Sequence, residues 1–136
     1  MLVDRSLIGL TSEPRTFEVT SGAIVALAEA IGDPCPAYRE GRIAPPTFPD
    51  TFQMVFPKAF PGLEDFDLTH GLLGEMEFAY ERALRAGDRV TCVARIVDVT
   101  EKELRRGTAT FVVFETNARD EAGSPVYTSR ATVIVR

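Results

Sequence analysis

The sequence contains one histidine, two cysteines and no tryptophan. Cys35 and Cys92 stand in unrelated contexts, and neither has metal-ligand spacing to another cysteine or to His70. We therefore expect no metal site. Free thiols are the state expected for these cysteines in a reducing cytoplasm, which is the predicted location of the protein.

Basic residues and long apolar runs are also scarce. With 15 Lys and Arg against 20 Asp and Glu, the net charge of −5 argues against a nucleic-acid partner, since binding to a phosphate backbone needs a basic surface. No apolar run approaches the ~20 residues that a membrane helix requires, and residues 1–10 lack a secretion signal, so we expect no membrane partner and no export. Glycine-rich phosphate loops and the nucleophile elbow of serine hydrolases are absent too, and no cofactor is expected.

The composition is that of an ordinary globular protein, and we expect residues 1–136 to form one domain. Residues 15–19 alternate between polar and apolar side chains, which predicts a first strand. A first helix is predicted over residues 21–31, with Thr20 or Ser21 as its cap and Gly32 in the left-handed position that ends it. Four residues at helical spacing form its apolar face: Ile24, Leu27, Ala28 and Ile31.

Residues 33–46 contain four prolines, which predict a shaped loop. Pro45 and Pro46 can open a second helix, which Pro57 ends. Its sequence is so apolar that we expect it to be buried, with one face formed by Phe48, Phe52, Val55 and Phe56.

Four further strands are predicted over residues 74–82, 89–99, 107–117 and 126–135, after a loop with an acidic patch at residues 64–67. Residues 111–114 are apolar on both faces, as in a central strand. A buried apolar helix wrapped by a curved antiparallel sheet is the hot-dog architecture, an α+β fold. Because such a sheet leaves an edge strand unpaired, we also expect a dimer with an identical or related subunit.

Asp33 is the acidic residue best placed for chemistry. It follows the first helix, lies in the rigid proline loop and precedes the buried helix, whose N-terminus would attract negative charge. A carboxylate there can act as a general acid or base, or orient a water molecule. The alternative is that Asp33 only accepts hydrogen bonds from backbone amides of an Asp-Pro turn, and the residues alone favour that alternative.

Two segments around this residue resemble the hydratase motif of the MaoC-like family, which is written G-D-x-N-P-[LIV]-H with I-A-H-G downstream. They are Ile31-Gly-Asp-Pro-Cys-Pro-Ala-Tyr38 and Arg42-Ile-Ala-Pro-Pro-Thr-Phe48. Similar matches to the N-terminal MaoC-like dehydratase domain run through residues 77–88, 116–123 and 129–135. The resemblance implies a hot-dog subunit of the (R)-specific enoyl-CoA hydratase or 3-hydroxyacyl-thioester dehydratase type.

The departures from that motif lie at its reacting groups. Asp33 matches the motif's Asp, but Tyr38 stands in place of the His with which it pairs, and Cys35 in place of the Asn. A tyrosine, with a pKa near ~10, is a poor base at neutral pH. Pro46 stands in place of the glycine whose backbone N–H binds the thioester oxygen, and proline has no N–H to donate.

The resemblance assigns Asp33 and Tyr38 to the catalytic positions and implies a set of substrate-binding candidates. Arg42 is a candidate for phosphate groups of the carrier, and the apolar residues for the acyl chain. His70 is a candidate substitute base, although a loop histidine is more commonly solvent-exposed. The substrate-binding candidates are Cys35, Arg42, Ala44, Pro46, Phe48 and Phe52.

Three functions follow from these observations. The first is a subunit that binds acyl-CoA or acyl-ACP thioesters, lacks the complete Asp/His pair and dimerises with itself or with a MaoC-like catalytic subunit. The second is an active homodimeric enoyl-CoA hydratase using Asp33 with Tyr38, His70 or a water molecule. The third is a non-enzymatic acyl-thioester-binding module. Thioester hydrolysis is a weaker rival, because a fold alone does not assign a function.

Overall fold

The structure, a computed structural model, describes residues 5–54, 59–61 and 71–136. Within these ranges, five antiparallel strands form one sheet in the order β1-β3-β4-β5-β2. The strands are β1 (Arg15–Glu18), β2 (Gly71–Tyr80), β3 (Arg89–Leu104), β4 (Gly107–Arg119) and β5 (Pro125–Val135). All five predicted strands are therefore confirmed, and β4, which contains residues 111–114, is the central one.

Strands β3, β4 and β5 alternate over most of their length between a buried and a more exposed face, as predicted for an antiparallel sheet with one face on the core. On β5 the alternating buried positions are Tyr127, Ser129, Ala131 and Val133, with Val126 buried as well, and on β4 they include Val112 and Phe114. Register shifts interrupt the ladders of β2 with β5, β3 with β4, and β4 with β5. Such irregularities bend strands and increase their twist, which curves the sheet around the core.

Helix α1 (Ser21–Ile31) has the bounds predicted from its caps. The Thr20 hydroxyl accepts a hydrogen bond from the N–H of Ala23 at 3.1 Å, and Gly32 adopts a left-handed conformation with φ of 70°. Ile24 and Ala28 are buried, and Leu27 packs partly buried against the core. The prediction was wrong for Ile31, which is 52% exposed because the chain turns away at the helix end.

Two local predictions between α1 and β2 were wrong. The proline loop contains a one-turn helix, α2 (Pro36–Arg39), because Pro36 occupies the first helical position, where no N–H is needed. The described part of the predicted second helix is a 3-10 helix, Phe48–Phe52. Pro49 has no N–H for an α-helical ladder, and Gln53 adopts a left-handed φ of 56°, which ends the helical turn.

Several sequence-based expectations fall on residues outside the described ranges. They concern Val55 and Phe56 of the second helix, Pro57 at its end, the acidic patch at residues 64–67, and His70. Within the described ranges, no helix is both long enough and apolar enough to cross a bilayer.

Candidate active site

Asp33 is fixed in its loop by three hydrogen bonds. Its backbone N–H donates to the carbonyl of Ala28 in α1 at 3.0 Å, and its backbone oxygen accepts from Nε of Arg39 at 2.6 Å. Its side-chain Oδ1 accepts from the N–H of Cys35 at 2.9 Å. The last contact is the Asp-Pro turn expected from the sequence, so at least one carboxylate oxygen has a structural role.

Tyr38 lies on α2, one turn beyond this contact, and is partly buried. Partial burial foremost, then the electrostatic effects of Cys35 and Asp33, raise the pKa of its phenol. The structure thus brings Asp33, Cys35 and Tyr38 within electrostatic range of one another. A phenol with a raised pKa stays protonated at neutral pH, so Tyr38 can donate a hydrogen bond but cannot serve as a base.

The remaining motif residues lie on the path from α2 to the 3-10 helix. Arg42 is exposed, and its guanidinium is already engaged in an ion pair with Glu40 at 2.7 Å. Ala44 is buried, and its N–H donates to the carbonyl of Leu84 at 2.9 Å. Pro46 is exposed, and its carbonyl accepts from the hydroxyl of Tyr80 at 2.6 Å.

Phe48 and Phe52 belong to the hydrophobic core. Their rings meet edge to face with centroids 5.7 Å apart, and Phe52 stacks on Phe17 of β1 with centroids 4.2 Å apart. These aromatic contacts pack the 3-10 helix against the first strand. Both phenylalanines therefore contribute to core packing.

A cavity of about 330 Å³ opens between the 3-10 helix, the start of β2 and the inner face of β4 and β5. Among the residues that the structure describes, its lining includes none of the eight predicted site residues. Apolar groups dominate the lining, with a smaller number of polar ones. The lining residues are Pro49, Asp50, Gln53, Met54, Gly71, Leu72, Leu73, Met76, Thr116, Tyr127, Ser129 and Val133.

Tyr80 and Tyr127 connect the proline loop of residues 33–46, called the motif loop below, with this cavity. They face each other in the register of β2 and β5, with ring centroids 5.5 Å apart. Burial raises the pKa of both phenols, and the charge of Asp50 raises both further. Tyr38 also raises the pKa of Tyr80, whose hydroxyl contacts the Pro46 carbonyl.

Among the described residues that line the cavity, Asp50 is the one carboxylate. The residue is exposed at the cavity mouth, yet surrounding protein raises the pKa of its carboxyl group. The hydroxyl of Tyr127, on the cavity wall, approaches the Cys92 thiol at 3.4 Å, and burial raises the pKa of that thiol. No described group of three or more His, Cys, Asp or Glu side chains is arranged to hold a metal ion.

Sequence reasoning did not select Asp50, Thr116 or Ser129 as site residues. A signal for the hydroxyl residues existed, since Thr116 and Ser129 occupy inward positions of strands whose other inward residues are almost all apolar. Asp50 follows Pro49 in a segment expected to be buried, and an acidic residue in such a segment is also a signal for a functional site.

Comparison with known proteins places the chain in a family. The model of the family described as FAS1-like, dehydratase domain region, matches residues 6–129. A UPF0336 protein of Thermobifida fusca is 35% identical to the chain over 150 residues, which cover 100% of this chain and 95% of that protein. These matches confirm the resemblance to dehydratases that the motifs indicated.

Solved structures confirm the hot-dog fold. The C-terminally truncated HadBC (3R-hydroxyacyl-ACP dehydratase) complex from Mycobacterium tuberculosis has a TM-score of 0.77 and 21% identity, over 94% of this chain and 96% of that one. The ChsH1-ChsH2 complex from the same organism has a TM-score of 0.71 and 24% identity, over 92% of this chain and 88% of that one. At these identities the likeness concerns the fold.

Proposed function

Since the chain belongs to the FAS1-like dehydratase domain family, we propose that it is a subunit of the enoyl-CoA hydratase and 3-hydroxyacyl-thioester dehydratase type. In this proposal it binds acyl-CoA or acyl-ACP thioesters in the cytoplasm and lacks a complete Asp/His catalytic pair. One observation carries it: the largely apolar cavity of about 330 Å³ lies beside the unpaired edge of β2. An apolar pocket with a few polar groups is the usual form of a site for a small organic ligand.

The contacts of the motif loop support the proposal that this chain lacks a complete set of catalytic groups. Asp33 holds the turn through the Cys35 N–H, and the raised pKa of Tyr38 removes it as a base. Pro46 has no N–H, and its carbonyl is already engaged by Tyr80. A chain with these substitutions binds the thioester while a partner subunit supplies the acid/base pair.

The partner would pair with β2. Among the described strands, β2 pairs on one side only, with β5, and its residues Leu72 and Leu73 are 52% and 57% exposed at the cavity rim. Pairing by a second subunit would satisfy the free backbone groups and cover both leucines. HadBC and ChsH1-ChsH2 are complexes by name, which supports assembly with a related chain.

One observation favours an active homodimer as a second candidate. Tyr38 lies within electrostatic range of Asp33, and the described residues give Oδ2 of Asp33 no hydrogen-bond partner. That oxygen remains available to orient a water molecule toward an enoyl thioester. In this arrangement Tyr38 donates a hydrogen bond and Asp33 accepts the proton.

Hydration of crotonyl-CoA and of trans-2-octenoyl-CoA by the purified protein separates the two candidates. The proposal predicts binding of both thioesters without turnover. Turnover that disappears in Asp33→Asn and survives in the exposed-surface variant Glu29→Gln would establish the active homodimer instead. If neither ligand binds, the acyl-thioester function is wrong and only the fold remains.

A further inference from the structure

The face of the sheet that points away from the core, called the outer face below, carries a groove of about 320 Å³. Four of its lining residues stand in one row across the sheet, in the order Glu75, Thr132, Val113 and Asp98. The two carboxylates are therefore at the rims, and the floor between them is uncharged. Each of the two acidic residues directly follows a register shift of its own strand, where a bulge re-aims side chains.

The groove becomes apolar towards the hairpin that joins β3 and β4. Phe111 and Ile134 face each other there in the register of β4 and β5, and both line the groove. Gly74 keeps this end open, since a Cβ at that position would lie 2.8 Å from Cδ1 of Ile134. The groove therefore suits an apolar side chain that has positive charge beside it.

The tip of the β3–β4 hairpin offers that combination. Residues 101–108 are all exposed, and Leu104 is a large apolar residue with 43% exposure. Arg105 and Arg106 form the turn, and with Leu104 and Arg136 they line a concavity of about 210 Å³. No carboxylate side chain is among its described lining residues. The tip thus presents a leucine flanked by arginines.

Leu104 points to the outer face. The Lys102 ammonium lies over the ring of Phe111, 4.6 Å from its centroid, and Phe111 lines the groove. Side chains two positions apart on a strand share a face, so Leu104 lies on the same face as Lys102. By the same alternation, Glu101 and Glu103 point to the other face.

The charges of the tip and of the groove rims have no partners within the described chain. Neither the three arginines of the tip nor Glu75 and Asp98 form an ion pair there. Arg130, which lines the continuation of the groove, is by contrast 3.9 Å from Glu115. One face of the sheet therefore has unpaired positive charge at one end, unpaired negative charge further along, and apolar side chains between them.

This arrangement is complementary to itself. From Gly107 at the tip to Val113 in the groove, β4 advances six residues, or ~20 Å. A two-fold axis through the midpoint at Thr110 places each tip over the groove of the other copy. Both contacts form at once, as in any interface with two-fold symmetry.

We infer that the outer face binds a second copy of this chain, with Leu104 of each copy in the apolar part of the other copy's groove and the tip arginines against Glu75 and Asp98. The inference does not depend on thioester binding, and its surface is separate from the unpaired edge of β2. It joins two units of whatever size β2 pairing leaves. Because few apolar side chains take part, this step should need a higher protein concentration than strand pairing.

Reversing the charges of each half tests the contact. The tip variant carries Arg105→Glu and Arg106→Glu, and the groove variant carries Glu75→Arg and Asp98→Arg. Sedimentation equilibrium of the wild type should show a step that doubles the mass. Each variant alone should weaken that step at least tenfold, since like charges then meet at both contacts. An equimolar mixture should restore it, because the reversed tip meets the reversed groove and the native tip meets the native groove.

A matched control carries Glu29→Arg and Glu121→Arg, on α1 and in the turn between β4 and β5. It changes the net charge as the groove variant does and should keep the step. Thermal midpoints show whether each variant folds, and Glu75→Arg alone, at an exposed position, replaces the groove variant if that one does not. The wild type provides a further test without substitution. Raising the salt from ~0.1 M to ~1 M shortens the screening length from ~10 Å to ~3 Å and should weaken the step.

Three results would overturn the inference. A wild type that never doubles its mass would leave the groove to a partner of a different sequence. A folded tip or groove variant that keeps the step would show that these charges do not meet. A mixture of folded variants that fails to associate would show that tip and groove are not each other's partners.

Discussion

The Tyr80 hydroxyl donates a hydrogen bond of 2.6 Å to the carbonyl oxygen of Pro46. This contact joins the edge strand β2 to the segment that leads into the 3-10 helix. The loop is thereby held against the sheet by a side chain of β2.

Tyr80→Phe should lower the free energy of unfolding by about 1 kcal/mol, the usual value of one neutral hydrogen bond. The ring contacts with Phe78 and Tyr127 survive this substitution, so the loss reports the hydroxyl alone. Urea unfolding measures it as a lower midpoint at unchanged slope. An unchanged midpoint would mean that water replaces the Pro46 contact at no cost.

Asp33→Ala should destabilise the protein by about 0.5–1.5 kcal/mol, because the N–H of Cys35 loses its acceptor. Asp33→Asn retains an acceptor oxygen at the same place and should lose less. Comparing the two variants in urea separates the turn role of Asp33 from any role of its charge. Equal losses for both would show that the charge, rather than the hydrogen bond, stabilises the loop.

Gly41→Ala should be more damaging than Gly32→Ala, although both glycines have φ of 70°. A Cβ on Gly41 would overlap Oγ of Ser21 and lie 2.9 Å from its backbone oxygen, whereas a Cβ on Gly32 meets nothing within 4 Å. The left-handed conformation costs each alanine variant about 1–2 kcal/mol. The overlap adds about 1–3 kcal/mol to Gly41→Ala only. Thermal melts of both variants side by side measure the difference, and equal midpoints would contradict it.

The ends of helix α1 could be predicted from the sequence. Thr20 and Gly32 cap the helix through contacts with residues only a few positions away along the chain. The five strands were predictable from alternation, which depends only on neighbours along the chain. The 3-10 geometry at Phe48–Phe52 was not, because three prolines within residues 45–49 satisfy a helix start but not its continuation.

The candidate site likewise contains residues that a local sequence pattern indicates and residues that only the tertiary fold brings together. Asp33 and its turn with Cys35 are local, so an Asp-Pro pattern indicated them. Thr116 and Ser129 are 13 positions apart in sequence, and only the register of β4 and β5 makes them neighbours. Asp50 and Tyr127 line the same cavity only because tertiary packing brings the 3-10 helix next to β5. Contacts of this kind depend on the whole fold and leave no short motif.

The stability that Asp120 provides should depend on pH. The N–H of Ser124 foremost, then that of Ala122 and the Arg82 guanidinium, lower the pKa of its carboxyl. A lowered folded pKa gives stability that is present above the unfolded pKa and is lost as pH falls through the folded one. Asp120→Asn should therefore lower the thermal midpoint at pH 7, and the deficit should shrink below about pH 4.

The neighbouring variant Glu121→Gln is the control for this experiment, since that side chain is 73% exposed and its nearest guanidinium contact is 3.9 Å. It should change the midpoint little at either pH. A deficit of Asp120→Asn that stays constant from pH 7 to pH 2 would show that the carboxylate charge contributes nothing to stability.

Association through β2 should depend on Leu72. Leu72 and Ile31 are both 52% exposed, but Leu72 lies on the unpaired edge strand and Ile31 at the end of α1. Leu72→Lys places a charge where a second subunit would bury an apolar side chain, and burying an unpaired charge is strongly unfavourable. Ile31→Lys carries the same change outside the proposed interface.

Sedimentation equilibrium should show a wild-type dimer that Leu72→Lys weakens at least tenfold and Ile31→Lys does not. If the wild type stays monomeric at every concentration, self-pairing through β2 is excluded, and the edge is left for a different hot-dog subunit. Equal weakening by both lysines would instead move the interface away from β2.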